Sequence, residues 1–144
     1  MDDVGILLVE DNPNDVELTL RALTKNHLAN KVLVMTDGAQ ALDFLFAKGE
    51  YAGRETGSDP KVVFLDLKLP KVDGLEVLRE MKARERTKFI PVVMLTSSQE
   101  EQDIVESYQL GVNSYIVKPI AFESFARSIA EVGFYWLVLN RAPA

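Results

Sequence analysis

The chain has 144 residues, about one domain, and folding at that length buries roughly two thirds of the surface that the unfolded chain exposes, so a core forms without staples. The absence of cysteine excludes disulfides, thiolate metal sites and thiol nucleophiles; no apolar stretch approaches the ~20 residues of a membrane span, and Asp2 and Asp3 stand where a secretory signal carries base, so a cytoplasmic protein is expected. The net charge of -6 argues against nucleic-acid binding, which rests on basic side chains displacing phosphate counterions, and no membrane partner is expected either.

The first apolar run, 6–9, ends in Glu10 and Asp11. Asn12 reads as a helix N-cap and Pro13 as the first helical residue, with Asp15 and Glu17 favourably placed near the helix dipole, and Leu18, Leu20, Ala22 and Leu23 carry the helix to about Lys25. A β-branched and apolar strand follows at 31–35. Asp37 and Gly38 then begin a helix through Ala41, Leu42, Leu45 and Phe46. Residues 49–60, with Gly53, Gly57, Ser58, Asp59 and Pro60, have the composition of a surface loop. His27, after the first helix and without an acidic or metal-binding neighbour in sequence, reads as a solvent-facing or capping residue.

The strand pattern resumes at 62–65 and ends in Asp66. Leu69 to Gly74 form an irregular turn, with Asp73 and Gly74 suiting it conformationally, into a helix with Leu75, Val77, Leu78 and Met81 on its apolar side. Pro91 opens the next strand, which ends in Thr96. Ser98 is the expected N-cap of a helix through Ile104, Val105 and Tyr108, and Gly111 suits its left-handed C-terminal position. A last strand, 115–117, ends in Lys118 and Pro119. A final helix from about Phe122 runs through Phe125, Ile129, Val132, Tyr135, Trp136 and Leu139, unusually apolar for a surface terminus.

Five strands alternating with five helices make an α/β domain over 1–144, a doubly wound parallel sheet with helices on both faces and right-handed crossovers. In such sheets ligands bind at the carboxyl ends of the strands. Glu10, Asp11, Asp66, Thr96 and Lys118 therefore converge at one edge. Two carboxylates about 4 Å apart repel by roughly 4 kcal/mol at an effective dielectric of 20, so a cation must offset the cluster. Hard oxygen donors suit Mg²⁺, and Lys118 adds a fixed positive charge. With both in place an oxygen of Asp66, already ionised at neutral pH, can attack a phosphoryl group, while the Thr96 hydroxyl bonds a phosphoryl oxygen.

These residues resemble the receiver domain of two-component response regulators. The matching motifs are Leu8 to Asn12, then Leu65, Asp66 and Leu67 with Leu69, Pro70, Asp73 and Gly74 downstream, then Leu95, Thr96 and Ser97, and finally Lys118 and Pro119, so the match covers nearly the whole chain. The resemblance implies a flavodoxin-like sheet of strand order 2-1-3-4-5. It also implies that Asp66 accepts phosphate from a sensor histidine kinase, that Glu10, Asp11, Asp66 and the backbone carbonyl of Lys68 hold Mg²⁺, and that Lys118 pairs with the phosphoryl group through a cis Lys118 to Pro119 bond. Thr96 and Tyr115 become the switch pair, although Tyr115 also reads as plain core. Self-phosphorylation and self-dephosphorylation are the only catalytic activities implied.

More narrowly, Val9 to Pro13 with Asp15 and Val16, the run 90–98, Val112 to Ile116 and the tail Phe134 to Leu137 resemble single-domain regulators associated with phytochromes, which implies a light-sensing kinase as partner. The chain ends soon after its fifth helix, so output is expected through protein contacts, with a homodimer along the fourth helix, fifth strand and fifth helix anchored by the terminal aromatics.

Two departures from the family pattern stand out. Glu10 replaces the Asp common at the first acidic position, and Lys68, two residues past Asp66, replaces Asn or similar beside the path of the hydrolytic water, which implies an altered phosphate lifetime. Rival readings fit less well. A flavodoxin-like cofactor binder needs a Ser/Thr/Gly phosphate loop where Glu10 to Asp15 stand, a haloacid-dehalogenase-type phosphatase needs an Asp where Lys68 stands, and a degenerate receiver would have lost Asp66 or Lys118.

Overall fold

The computed structural model describes residues 5–25, 32–54, 59–97, 100–118 and 122–140. Its strands are β1 (Ile6–Val9), β2 (Val32–Met35), β3 (Val62–Leu65), β4 (Val92–Thr96) and β5 (Ser114–Val117), alternating with α1 (Pro13–Lys25), α2 (Gly38–Leu45), α3 (Gly74–Lys82), α4 (Glu101–Gln109) and α5 (Phe122–Phe134). All strand pairs are parallel, in the order β2-β1-β3-β4-β5. This is the flavodoxin-like order expected from the motifs.

Apolar residues on both faces of the central strands explain the layers. Leu7, Val9, Val63, Leu65, Val92 and Met94 project to one side, against Ala41, Phe44 and Leu45 of α2 and Val77, Leu78 and Met81 of α3. Ile6, Leu8, Val62, Phe64, Val93 and Leu95 project to the other, against Ala22 and Leu23 of α1 and Ala126 and Ile129 of α5. The alternation is the period of two that a strand imposes. Burying each Leu, Ile, Val or Phe side chain stabilises the fold by about 1.5–3 kcal/mol. On the edge strands only Met35 is fully buried, and the other residues of β2 and β5 are half-buried.

Local chemistry sets the helix starts. Asn12 Oδ1 accepts from the backbone N–H groups of Asn14 (2.9 Å) and Asp15 (3.2 Å), capping α1 as its composition predicts. Asp37 and Asp73 cap α2 and α3 by accepting from the N–H groups of Gln40 and Glu76. The glycines after them are there for space. A Cβ on Gly38 would lie 1.8 Å from the Val72 carbonyl oxygen, and one on Gly74 would lie 2.1 Å from that of Asp66. Gly111 does adopt the expected left-handed conformation, with φ of 98°. At α4 the cap position falls on Glu100, in extended backbone and without a side-chain capping bond; Ser98, the expected cap, lies outside the described residues, as does His27.

Two segments differ from expectation. The loop after α2 begins with a 3₁₀ turn at Gly49–Tyr51, and the buried Arg54 donates to the carbonyls of Phe44 (2.7 Å) and Leu45 (3.0 Å) while pairing with Asp59 (3.1 Å), so it closes the C-terminal end of α2. The last helix passes into a π-helical turn at Tyr135–Leu139, closed by Asn140 N–H to the Tyr135 carbonyl. There Trp136 and Leu137 pack on the α1/α5 side of the core, whereas Tyr135 is exposed and meets the Trp136 ring edge-on at 4.9 Å. Among the described residues no helix is long and apolar enough to cross a membrane.

Candidate functional site

Parallel register levels the carboxyl ends of the strands. Val9 pairs with both Met35 and Leu65, and Thr96 with Val117, so the residues that follow leave the sheet along one edge. Backbone bonds hold them there: Glu10 N–H to the Met35 carbonyl (2.9 Å), Asp66 N–H to the Val9 carbonyl (3.0 Å) and Lys118 N–H to the Thr96 carbonyl (2.7 Å). The carboxylates therefore sit on a rigid frame rather than on free loops.

Carboxylate oxygens of Glu10, Asp11 and Asp66 lie within 4.8 Å of one another. Glu10 and Asp66 are 2% and 9% exposed, while Asp11 opens to solvent. Lys118, 7% exposed, reaches in from the end of β5: its Nζ donates to Glu10 Oε1 and to Asp15 Oδ2 (3.1 Å) and stands 3.7 Å from Asp66 Oδ2. Thr96 is fully buried at the end of β4, the strand between those that carry Asp66 and Lys118.

The electrostatics follow from that crowding. Burial raises Glu10 above the usual carboxylate range, to about 7, and the Asp66 charge adds to it against the opposing pull of Lys118. Burial pushes Lys118 down, but the carboxylates of Glu10, Asp66 and Asp15 more than offset it and hold the ammonium above its ordinary value. Three carboxylates, those of Glu10, Asp15 and Asp66, thus face one ammonium, with Asp11 beside them. A set of hard oxygen donors with a net negative charge and an opening at Asp11 fits a divalent cation that keeps part of its water shell.

Of the residues singled out in the sequence, the structure brings Glu10, Asp11, Asp66, Thr96 and Lys118 to this edge. Lys68 is exposed in the bend two residues past Asp66. Tyr115 is set back from the edge: it pairs in register with Met94, shares the sheet face of Met94 and Thr96, and packs against the core on the α2/α3 side. The expected cis bond involves Pro119, which lies outside the described residues.

Asp15 is the participant that sequence reasoning assigned elsewhere. A first-turn Asp is ordinarily explained by the helix dipole, and nothing in local spacing links it to a lysine 103 positions away. In sequence Gly74 has the signature of a turn former; in the structure it also lets the β3–α3 backbone fold back over Asp66, with Gly74 N–H bonded to the Leu67 carbonyl at 2.8 Å.

Comparison with known proteins agrees with this geometry. The family model for the response regulator receiver domain matches residues 6–130. The chain is 45% identical over 138 residues to the probable methanogenesis regulatory protein FilR2 of Methanothrix harundinacea, covering 96% of this chain and 86% of that one. It is 38% identical over 139 residues to the response regulator Rcp1 of Synechocystis, covering 96% and 92%, and the Mn(2+)-bound form of Rcp1 superposes with a TM-score of 0.86 over 96% of this chain and 98% of that one. The phosphorylated cyanobacterial phytochrome response regulator RcpA, 38% identical, superposes with a TM-score of 0.88 over 99% of this chain and all of the other. A matching family model over most of the chain, relatives above 30% identity and the shared fold lead to one conclusion: this protein belongs to the response regulator receiver domain family, with relatives among the phytochrome response regulators.

Proposed function

We propose that the protein is a cytoplasmic phosphoacceptor that takes a phosphoryl group onto Asp66 from a sensor histidine kinase and signals by altered protein contacts. The observation that carries this reading is the buried Lys118 ammonium 3.7 Å from Asp66 Oδ2, at an edge where three carboxylates share one space. In the step itself an Oδ lone pair of Asp66 bonds to phosphorus as the P–N bond of the kinase phosphohistidine breaks. The electron pair departs on the imidazole nitrogen, which takes a proton from water, and an acyl phosphate remains.

Such a transfer asks the protein for alignment and charge neutralisation. Lys118 neutralises one phosphoryl oxygen, and the buried Thr96 hydroxyl is the donor for another. Glu10, Asp11 and Asp66, with the Lys68 carbonyl, would hold Mg²⁺, which when bound supplies further positive charge to the phosphoryl oxygens. Thr96 and Tyr115, on one face of β4 and β5, are the pair through which occupancy of Asp66 reaches the surface.

A phytochrome-type kinase is the proposed donor, supported by the similarity to RcpA. A homodimer through α4, β5 and α5 is the proposed assembly, supported by the exposed apolar side chains of Val105 and Tyr108 on α4 and of Tyr135 beyond α5. Light scattering at micromolar concentration tests it, and a strict monomer in both phosphorylation states would remove it.

Incubation with a small phosphodonor, with and without Mg²⁺, followed by intact mass tests the main reading. Wild type should gain one phosphate only with the metal, and Asp66→Asn none. Equal uptake by the variant would assign the phosphate elsewhere.

A further inference from the structure

We propose that Asp15 is a positioning residue for Lys118, anchoring its ammonium so that one N–H remains directed toward the oxygens at Asp66. The inference rests on the phosphoacceptor reading above. It starts from donor counting: an ammonium has three N–H groups and no acceptor. Glu10 Oε1 and Asp15 Oδ2 each accept one, and the nearest Asp66 oxygen, at 3.7 Å, lies too far for a third full hydrogen bond. Among the described residues no third acceptor is within hydrogen-bonding distance, and the next oxygen is that of Asp66, so the third donor is available to a phosphoryl group carried there.

The two anchors are not equivalent. Glu10 belongs to the carboxylate cluster that fits a cation, so its charge is shared between two demands. Asp15 stands outside that cluster and engages Lys118 from α1, a different element. Its backbone is fixed by the Asn12 cap, and its side chain is 28% exposed, so the ion pair is only partly screened. Lys118 carries a long, flexible stem, and a partner that restricts it lowers the cost of aligning it with the reacting oxygens.

Phosphate uptake from a small phosphodonor should be followed by intact mass on wild type, Asp15→Asn and Asp15→Glu, with Mg²⁺ affinity and affinity for beryllofluoride, an inert phosphoryl mimic, measured by calorimetry on each. The expected result is a loss of about tenfold or more in the uptake rate of Asp15→Asn, a parallel weakening of beryllofluoride binding, Mg²⁺ affinity within about twofold of wild type, and recovery of most of the rate in Asp15→Glu. A purely structural role would not be rescued by restoring charge. Asp15→Asn phosphorylated as fast as wild type or faster would overturn the proposal, as would a rate loss matched by an equal loss of Mg²⁺ affinity. Failure of the underlying reading looks different: wild type would take no phosphate, or Asp66→Asn would take as much.

Discussion

Lys118 Nζ lies 3.7 Å from Asp66 Oδ2, yet its hydrogen bonds go to Glu10 and Asp15, so one buried cation is divided among three carboxylates from three separate elements. In the metal-free protein this arrangement is under-compensated in charge, which makes the stability effects of its members opposite in sign. Asp66→Asn removes one repelling charge and leaves Lys118 its two bonded partners. It should stabilise the metal-free protein by about 1 kcal/mol. Lys118→Ala strands buried carboxylates without their counter-charge and should cost about 3–5 kcal/mol. Urea denaturation in the presence of a chelator reads both, and a destabilised Asp66→Asn would mean that the carboxylates do not oppose one another.

Glu10 gives the site a pH dependence with a definite sign. Its folded-state value of about 7 stands above the ordinary 4.5, so between those values the folded protein binds the extra proton. The Glu10 contribution is fully present below about 4.5 and is lost as pH rises through about 7. A divalent cation favours the ionised form and must displace that proton. Mg²⁺ should therefore raise the urea midpoint more at about pH 8 than at about pH 5. Equal increments at the two values would show that Glu10 is ionised throughout.

Gly74 tests whether the backbone beside Asp66 has room to relax. A Cβ there would come 2.1 Å from the Asp66 carbonyl oxygen and 2.9 Å from Leu67 Cα, both backbone atoms. Gly74→Ala should cost about 3 kcal/mol or more and slow phosphate uptake, because the carboxylate-bearing loop must shift. Gly53, with nothing within 4 Å of an added Cβ, is the control: Gly53→Ala should lie within about 0.5 kcal/mol of wild type. Similar effects at both positions would discount the close approach.

Lys68 is exposed two residues past Asp66, and under the proposed function its cationic side chain would border the approach of water to the acyl phosphate. Lys68→Asn should change the dephosphorylation rate by severalfold without altering stability by more than about 0.5 kcal/mol, since surface substitutions away from caps and cores are nearly neutral. Decay of the phosphorylated mass with time is the measurement. Identical decay curves would count against any role for this side chain in phosphate lifetime.

Much of the architecture is legible in the sequence because it is written in local chemistry. Runs such as 62–65 and 92–95, apolar at every position, declare strands buried on both faces, and Asn12, Asp37 and Gly111 announce helix ends through hydrogen bonding and backbone conformation. From alternation alone the carboxyl ends of parallel strands must meet, and Glu10, Asp11, Asp66, Thr96 and Lys118 stand at those ends. Their convergence therefore follows from order along the chain.

Tertiary structure alone decided where space and charge are shared between distant segments. Asp15 reaches Lys118 only because α1 packs at the edge where β5 ends, and no local pattern distinguishes it from any other acidic residue in a first helical turn. Gly38 and Gly74 are small because backbone from another segment passes within a carbon's width. Arg54 caps α2 from a segment whose composition reads as a surface loop, and Tyr135 and Trp136, adjacent and similar in sequence, are divided by a π-helical turn into one exposed ring and one packed against the core. Hydropathy and spacing report which neighbours a residue prefers; which neighbours it obtains depends on excluded volume and on pairing across long separations, and those exist only once the chain has closed on itself.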